Sequence, residues 1–401
     1  MPFRHAGDKN FWLDIFRGLK RLGHELRIVS AMVEDVPDDG LPIVRVPPIP
    51  IHFRPDQRMN LSHNHLAGTN NYLSKTISLP RLVRAVRRVR SEFRPDVIHF
   101  VENYGPAMLA LRPAFPRIPM TISAPTYQPN RPLYDLFLEA SFAPFDTIVP
   151  FSDAYQRRLM ELRYRPDRVR MIRWGIDTER FSPPTAAARE TARKELGLSQ
   201  DTLVSFWTGF IQQTTEDDFH AAEKTANLVL DRDPSKFAFL FCFKPEHFKE
   251  SFQASERPGL RVFGSAEAFH AARLAADVFL SPIQDARSTA APPLAWLESL
   301  AMGIPILTTD IPGSEEAVVE GVSGLRVGSP EAASERLIEL SSNEGQLQRL
   351  REGARKVAVD RYSVDRSLVE YLELWSSLAN GLRGRAHPRK SVGPSDAPDA
   401  Q

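Results

Sequence analysis

At 401 residues the chain is longer than one hydrophobic core normally organises, so two domains are expected. Hydrophobic residues make up 42% of the sequence and charged residues 25%, which is typical of a soluble globular protein and excludes a disordered or fibrous chain. The single cysteine, Cys242, excludes a disulfide framework and a cysteine-based metal site, and it fits a reducing compartment.

The first part of the chain alternates between helical and extended patterns. A helix is predicted over residues 11–22, ending at Gly23, and another over residues 79–93. Residues 41–53 are rich in proline and β-branched residues, which predicts an extended but interrupted stretch. Strands are predicted at residues 24–30, 96–99, 118–122, 147–151 and 168–173, with Ser152 as the N-cap of a helix.

The front of the chain lacks one expected element. A doubly wound domain opens with a strand that feeds a glycine turn and then a helix. Here the turn itself, from His5 to Asn10, lies almost at the first residue. Either the true start lies upstream or the sheet is built without that strand, and we favour the first explanation.

A change of composition to Pro, Thr and Ala at residues 182–188 predicts a linker. A second series of strands is then predicted at residues 202–207, 237–243, 260–263, 278–281 and 305–308, with helices between them and a long helix from residue 363. The alternation predicts an α/β protein with parallel sheets. We expect domains at 1–182 and 189–362, a terminal helix at 363–380 and a disordered tail at 381–401.

The net charge of +1 conceals an asymmetry between the two halves. Residues 1–180 carry 27 Lys and Arg against 19 Asp and Glu, and the remaining residues carry 24 against 31. This split predicts two domains facing different partners, one of them anionic. Neither half is basic enough to favour nucleic acid, and no nucleic-acid motif is present.

Without an apolar run of about 18 residues or a signal-peptide core, a cytoplasmic protein is expected.

The segment from Ala276 to Val327 is the most informative part of the sequence. Its pattern predicts strand, loop, helix, strand, glycine turn, helix and strand, and Pro292 and Pro293 suit the first turn of the first helix. Glu298 falls within two turns of that start, close to the crevice at the carboxyl ends of the strands, where open α/β sheets bind ligands. A carboxylate there can accept hydrogen bonds from a sugar diol.

This segment resembles the donor-binding region of the family 4 retaining glycosyltransferases, which have the GT-B fold. The resemblance rests on ADVFLSP, LESLAMGIPILTTDIPGSEE and GVSGLRV, and is supported by GIDTERF (175–181), PDVIH (95–99) and RLGHELRIVS (21–30). The segment GDKNFWLDIFRGLKRLGHE is also similar to the amino-terminal loop and helix of the glycolipid-synthesising members. The similarity spans roughly residues 7–378.

The resemblance implies two Rossmann-like domains facing across a cleft, with the last helix crossing back to the first domain. The second domain would bind a nucleotide-diphosphate sugar, and the first a small-molecule or lipid-linked acceptor, to which the sugar passes with retention. No cofactor or metal is expected. The only Asp-x-Asp, Asp231-Arg232-Asp233, precedes a proline and favours a turn. Residues 62–65 have neither the spacing nor the neighbouring ligands of a metal site, so a surface loop is favoured there.

Residue by residue, Glu298 corresponds to the family glutamate that binds the ribose, and Glu316 to the glutamate after the glycine turn. Gly7 corresponds to the amino-terminal loop glycine, and Gly209 ends the first strand of the second domain. For the two acids the alternative is a helix-dipole partner, and for the glycines a turn conformation. Lys9, Asn10 and His99 are assigned to the acceptor side; for His99 a structural role is the alternative.

Several family positions are replaced. Ala290 stands where the first glutamate of the pair is expected, Ser123 where a strand often ends in histidine, and neutral and acidic residues follow Gly209 in place of an Arg and a Lys. Since removing one positioned donor costs about 10²–10³ in rate, charge must come from elsewhere. The candidates are Lys244 and Arg287 with the neighbouring Ser288 and Thr289, and Glu102 as a further catalytic candidate; solvated loop charges are the alternative.

Two further questions stay open at this point. The predicted helix from Leu79 to Phe93 carries five arginines opposite its apolar face, which fits either contact with an anionic membrane, at its inner face, or the solvated side of a packed helix. The replaced positions leave, beside the enzyme, a catalytically degenerate protein that binds a nucleotide sugar or a partner without turnover. A sugar-nucleotide epimerase is a weaker alternative.

Overall fold

The structure is a computed structural model that describes residues 7–30, 40–47, 49, 63–101, 105–124, 132–162, 164–209, 216–243, 256–284 and 292–386. The α-helices of these residues are α1 (Gly7–Arg21), α2 (His63–Phe93), α3 (Leu111–Ala114), α4 (Pro132–Phe142), α5 (Asp153–Glu161), α6 (Ala186–Glu195), α7 (Glu216–Leu230), α8 (Ala266–Ala275), α9 (Leu294–Ala301), α10 (Pro330–Ser341), α11 (Glu344–Tyr362) and α12 (Val364–Ala386). The strands are β1 (Ile28–Ser30), β2 (Ile43–Arg45), β3 (Ile98–Phe100), β4 (Met120–Ala124), β5 (Thr147–Pro150), β6 (Leu203–Gly209), β7 (Phe237–Phe243), β8 (Leu260–Phe263), β9 (Val278–Ser281), β10 (Ile306–Thr309) and β11 (Gly324–Val327). Three 3₁₀ helices lie at Gly105–Ala110, Pro166–Arg168 and Ser314–Glu316.

The first half of the chain holds two parallel sheets. β1 pairs with β2, with Ile28 opposite Ile43, and β3, β4 and β5 form the other sheet in that order. Met120, Ile122 and Ile148 of the second sheet are fully buried, as expected for parallel strands covered by helices. Residues of both sheets line one cavity of about 810 Å³.

The second half forms one six-stranded parallel sheet in the order β11-β10-β9-β6-β7-β8. Read from β8, this is the third, second, first, fourth, fifth and sixth strand of the half, which is the doubly wound order. Every residue of β7 is buried, because helices cover both faces of a parallel sheet. The strand order reverses between β6 and β9, so a ligand crevice is expected at the carboxyl ends of these two strands.

A buried carboxylate fixes the opposite, amino end of the same sheet. Asp277, just before β9, accepts hydrogen bonds from Arg193 at 2.6 Å and from the backbone amide of Val204 at 2.8 Å. Arg189 and Arg351 also bind this carboxylate, so that α6 and α11 are tied to the start of β6 and β9. Buried charges of this kind are retained only when they are paired and hydrogen-bonded. These contacts hold the amino end of the sheet, opposite the carboxyl end where ligands are expected.

The two halves meet where the chain passes between them. Ile176 donates its amide to the carbonyl of Tyr362 at 2.8 Å, and Val364 donates its amide to the carbonyl of Ile176 at 2.9 Å. A Cβ on Gly175 would lie 2.5 Å from the Cα of Val364, so only glycine allows this close approach. One hydrophobic core contains residues of both halves, and α12 packs on α1, as the resemblance implied for the last helix.

The α/β class with parallel sheets is confirmed, and most predicted elements are found. The strand predicted at residues 168–173 is wrong. This stretch lies alongside β5, but the only β-bridge between them joins Val169 and Ile148. The helix predicted from residue 79 begins at His63 instead, and Pro80 lies inside it. In the second half, α6 begins at Ala186, within the predicted linker, with Thr185 as its N-cap, and α12 continues to Ala386. The domain bounds stay a prediction.

Candidate functional site

The crevice at the strand reversal begins at the last residues of β6 and β9, Gly209 and Ser281. A Cβ on Gly209 would lie 2.7 Å from the ring of Trp207, which is itself buried, so the strand end has no room for a side chain. Backbone therefore borders the crevice at Gly209. Its role as a donor-binding glycine stays a prediction.

Ser281 is held by two neighbouring elements. Its hydroxyl accepts a hydrogen bond from the indole Nε1 of Trp296 in α9 at 2.8 Å, and its carbonyl accepts one from Thr308 in β10 at 2.7 Å. Trp296 is fully buried, so the start of α9 cannot move independently of β9. The helix that carries Glu298 is thereby fixed relative to the crevice.

A buried carboxylate lies at the start of α7. Asp218 accepts a hydrogen bond from the backbone amide of Gln284 at 2.6 Å and thereby joins α7 to the loop after β9. The family pattern has cations just ahead of this position. At the start of α7 the described residues therefore place a carboxylate, bonded to the loop after β9, and no cation.

Glu298 lies on α9 and forms an ion pair with Arg273 of α8, 2.8 Å between Oε2 and Nη1, in which both side chains are largely buried. The Arg273 guanidinium also lies over the rings of Phe181 and Phe269, at 4.5 Å from the latter centroid. The ion pair with Arg273 orients the Glu298 carboxylate on α9. The ribose role of Glu298 stays a prediction.

Glu316 makes a contact that the sequence did not indicate. Its two carboxylate oxygens accept hydrogen bonds from the backbone amides of Asp153 and Ala154, each at 2.9 Å, in the first turn of α5. Burial raises the pKa of this carboxyl, while the two amides act in the opposite direction. A carboxylate at a helix N-terminus satisfies amides that lack partners within the helix. Glu316 thus joins the second half to the first, and its predicted donor-binding role stays a prediction.

His99, at the centre of β3, belongs to a polar network inside the first half. Its Nδ1 lies 2.6 Å from Thr121 Oγ1, and its Nε2 lies 3.0 Å from Ser123 Oγ, which in turn is bonded to Tyr371 of α12 at 2.7 Å. Burial lowers the pKa of His99 to about 3, so the ring is neutral at pH 7. Both ring nitrogens have protein partners, which favours the structural alternative over contact with an acceptor.

The other predicted residues are distributed as follows. Gly7 and Lys9 form the first turn of α1, and Asn10 in the same helix is exposed. The remaining predicted site residues lie outside the described residues: Glu102, Lys244, Arg287, Ser288 and Thr289. The structure therefore places Gly209 on β6, next to β9, and bonds the helix that carries Glu298 to β9. The roles of these residues and of the catalytic candidates stay predictions.

Within the described ranges, no group of three metal-ligating side chains is found. Asp231 pairs with Arg257 at 2.8 Å, and Asp233 accepts hydrogen bonds from the amide and hydroxyl of Ser235, which is a turn contact. The structure also shows two residues that the sequence reasoning missed, Arg273 and Asp218. Neither could be identified from a local sequence pattern, because the partner of Arg273 is 25 positions away in the chain and that of Asp218 is 66 positions away.

Two family models match the chain over most of its length. The model of glycosyltransferase family 4 matches residues 7–180, and that of the group 1 glycosyl transferases matches residues 250–357. The chain belongs to glycosyltransferase family 4. It has the GT-B fold of this family, with two Rossmann-like domains, as the sequence indicated.

Among curated relatives, D-inositol 3-phosphate glycosyltransferase of Corynebacterium urealyticum is 30% identical over 226 residues, which is 53% of this chain and 51% of that protein. The chain spans about half the length of the curated relatives it matches. A glycosyltransferase of Rickettsia africae has a similar fold, with a TM-score of 0.71 and 13% identity over 94% of this chain and 96% of that one. Anabaena HepE, solved with UDP and glucose, gives a TM-score of 0.66 at 14% identity over 93% and 96%.

Proposed function

We propose that this family 4 protein transfers a sugar from a nucleotide-diphosphate donor to a small-molecule or lipid-linked acceptor, with retention at the anomeric carbon. The proposal rests mainly on the doubly wound sheet of the second half, whose strand reversal places Gly209 and Ser281 at a crevice. Family membership and a fold neighbour that holds UDP support it further. The degenerate alternative is not favoured, because the named relatives are glycosyltransferases.

The chemistry asks the protein to stabilise charge. The bond between the anomeric carbon and the diphosphate oxygen breaks with its electron pair on the diphosphate, the acceptor hydroxyl oxygen bonds to the anomeric carbon, and the hydroxyl proton passes to the departing diphosphate. In the proposed site the backbone at Gly209 lies against the nucleotide, and Glu298, oriented by Arg273, accepts hydrogen bonds from the ribose. Lys244 and Arg287 are proposed to neutralise the negative charge of the departing diphosphate, and Glu102 is proposed as a further catalytic residue.

The acceptor is proposed to be anionic. The relative from Corynebacterium urealyticum is named for a phosphorylated inositol, and the first half of this chain carries an excess of basic residues. An anionic acceptor approaching that half would be attracted before contact. A phosphorylated polyol and a lipid-linked phosphate share this property, and the two are compared as substrates.

Nucleotide binding and turnover are tested in sequence. UDP and GDP are titrated by calorimetry, and their glucose and mannose conjugates are then incubated with inositol phosphate or a phospholipid acceptor. The anomeric configuration of the product is read by NMR. Lys244→Ala and Arg287→Ala should lower turnover by about 10²–10³, while the exposed control Lys356→Ala should leave it unchanged. Nucleotide binding without turnover on any acceptor would favour the degenerate protein, and an inverted anomer would refute retention.

A peripheral contact with membranes is proposed separately. Arg87, Arg90, Arg94 and Arg117, here called the arginine patch, surround an open depression of about 640 Å³. Arg94 and Arg117 precede β3 and β4, so the patch lies at the amino edge of the sheet, away from the carboxyl edge where ligands bind. No helix among the described residues is long and apolar enough to cross a bilayer. The patch therefore suits an anionic lipid surface better than it suits the acceptor.

Vesicle flotation tests this contact. The protein should float with phosphatidylcholine vesicles that contain phosphatidylglycerol and remain behind with pure phosphatidylcholine, because each arginine near the surface contributes about 1 kcal/mol. Arg87→Glu combined with Arg117→Glu should abolish flotation. The matched control Arg232→Glu, on the other half, should not. Equal flotation with both vesicles would contradict the proposal.

A further inference from the structure

A cluster of charged side chains lies at the amino end of the second sheet, away from the crevice. The carboxylate of Asp277 accepts hydrogen bonds there from three arginines, which are Arg189, Arg193 and Arg351. Arg189 and Arg193 belong to α6, and Arg351 belongs to α11. These four residues, here called the Asp277 cluster, pair three guanidinium groups with one carboxylate, which leaves an excess of positive charge.

Arg193 is the internal member of the Asp277 cluster. Its side chain is almost fully buried, and it donates to Oδ2 of Asp277 at 2.6 Å. Its remaining nitrogens donate to the backbone carbonyls of Ala275, Ser199, Gln200 and Thr202. All three nitrogens of this guanidinium thus have protein acceptors, and its charge already balances that of Asp277.

Arg189 and Arg351 share the other carboxylate oxygen, Oδ1 of Asp277. Two cations bonded to one oxygen atom lie close together and repel each other. Among the described residues no second carboxylate forms an ion pair with either arginine, and Glu344 at the start of α11 attracts Arg351 only at longer range. Because a guanidinium keeps its proton in proteins, deprotonation does not relieve this repulsion.

Both of these arginines are reached by solvent. Their side chains are 24% and 28% exposed, against 5% for Asp277. Arg189 uses Nη1 to donate to the carbonyl of Ala276 at 2.7 Å. Within the described ranges Arg351 donates only through Nη2, so its Nε and Nη1 are left for a ligand. Two neighbouring guanidinium edges at the surface, with unbalanced charge, suit an oxyanion that accepts from both.

We propose that Arg189 and Arg351 bind a doubly charged oxyanion, either inorganic phosphate or a small phosphomonoester. Several oxygens on one phosphorus match the planar donor forks of two guanidinium groups, whereas chloride offers a single charge without that geometry. The site lies at the end of the sheet opposite the crevice. It is therefore separate from the proposed donor site, and the proposal holds whether or not the chain transfers sugars.

An anion at this site would also hold two helices on the sheet. Asp277 is bonded to the start of β6, because its carboxylate accepts from the amide of Val204 at 2.8 Å and its own amide donates to the Val204 carbonyl at 2.7 Å. A ligand that bridges Arg189 of α6 and Arg351 of α11 therefore adds a link between these helices and the strands. Binding to the folded state alone should raise the Tm.

Calorimetry and thermal unfolding test the site. Inorganic phosphate and glycerol phosphate are titrated at about pH 8, where both are doubly charged, with sodium chloride at equal ionic strength as the reference. We expect a Kd of about 1 mM for the tighter of the two anions, which identifies the ligand. Arg351→Gln should weaken this binding at least about tenfold. The matched control Arg349→Gln, an exposed arginine of the same helix, should leave the Kd unchanged.

Two results overturn the proposal. One is a Tm that rises no more with either phosphate compound than with chloride, and the other is the same Kd for Arg351→Gln as for the wild-type chain. If Arg351→Gln does not fold, hydrogen exchange of the wild-type chain decides. Peptides covering residues 186–193 and 345–355 should then exchange more slowly with the anion, and protection confined to other peptides counts against the site.

Discussion

Replacing Glu316 should weaken the contact between the two halves of the protein. Its carboxylate accepts two hydrogen bonds from the first turn of α5, and hydrogen bonds to charged groups contribute about 1.5–3 kcal/mol each. Burial, which raises the pKa of this carboxyl, offsets part of that gain. We expect Glu316→Ala to lower the free energy of unfolding by about 2–4 kcal/mol. Glu316→Gln, which keeps one acceptor oxygen, should cost about half as much.

Urea unfolding and nucleotide titration together test this reasoning. Because protein amides hold both carboxylate oxygens, Glu316→Ala should change the Kd for UDP or GDP by less than about threefold. The matched control is Glu315→Ala. Glu315 is half-exposed and lies 3.7 Å from Arg157, so this change should lower the free energy of unfolding by under about 1 kcal/mol. Unchanged stability with a tenfold loss of nucleotide affinity would refute the structural role and favour the donor-binding role.

Three further substitutions test other parts of the site. His99 has a pKa of about 3 in the folded protein and 6.5 in the unfolded chain. The free energy of unfolding is therefore undiminished above pH 6.5 and falls as the pH drops towards 3, by about 2 kcal/mol at pH 5. Urea titrations between pH 7 and 5 should therefore be flatter for His99→Phe, and parallel curves would contradict this. Glu298→Ala should weaken nucleotide binding by about tenfold or more, or about 1.4 kcal/mol, by calorimetry, with Glu335→Ala as control; an unchanged Kd would refute the ribose role. Gly209→Ala should lower the free energy of unfolding by about 1–3 kcal/mol and change Trp207 fluorescence, and a wild-type spectrum would count against the close packing.

The central strands of the second half were predictable because they are buried on both faces. Apolar runs placed β7 and β9 at the residues where they are found. The edge strand β8 was placed by the alternation of LRVF, in which Arg261 is exposed. The start of α2 was not predictable, since HNHLAGTNNYLS has no apolar period and Pro80 usually ends a helix. The segment at residues 168–173 has the composition of a strand, but it bonds to β5 only through alternate amides and one bridge.

The helix that carries Glu298 was predictable, and the contacts of the candidate residues were not. The sequence around Glu298 predicts a helix after the loop that follows β9, and α9 is found there. The partners of Glu316 and Ser123 lie 163 and 248 positions away at most, and no local pattern encodes such pairs. They follow from how the two halves and α12 pack, which depends on the whole fold.

The crossing at Gly175 and Val364 limits how the two halves can move against each other. Two chain segments are in contact there and are joined by a pair of backbone hydrogen bonds through Ile176, so sliding of one segment past the other would break both bonds. The Glu316 carboxylate joins the halves at a second point, so a simple rotation about the crossing would break its two hydrogen bonds. Spin labels placed near Gly175 and near Glu316 should therefore record little relative movement of the halves, and Glu316→Ala should increase it only at the second point.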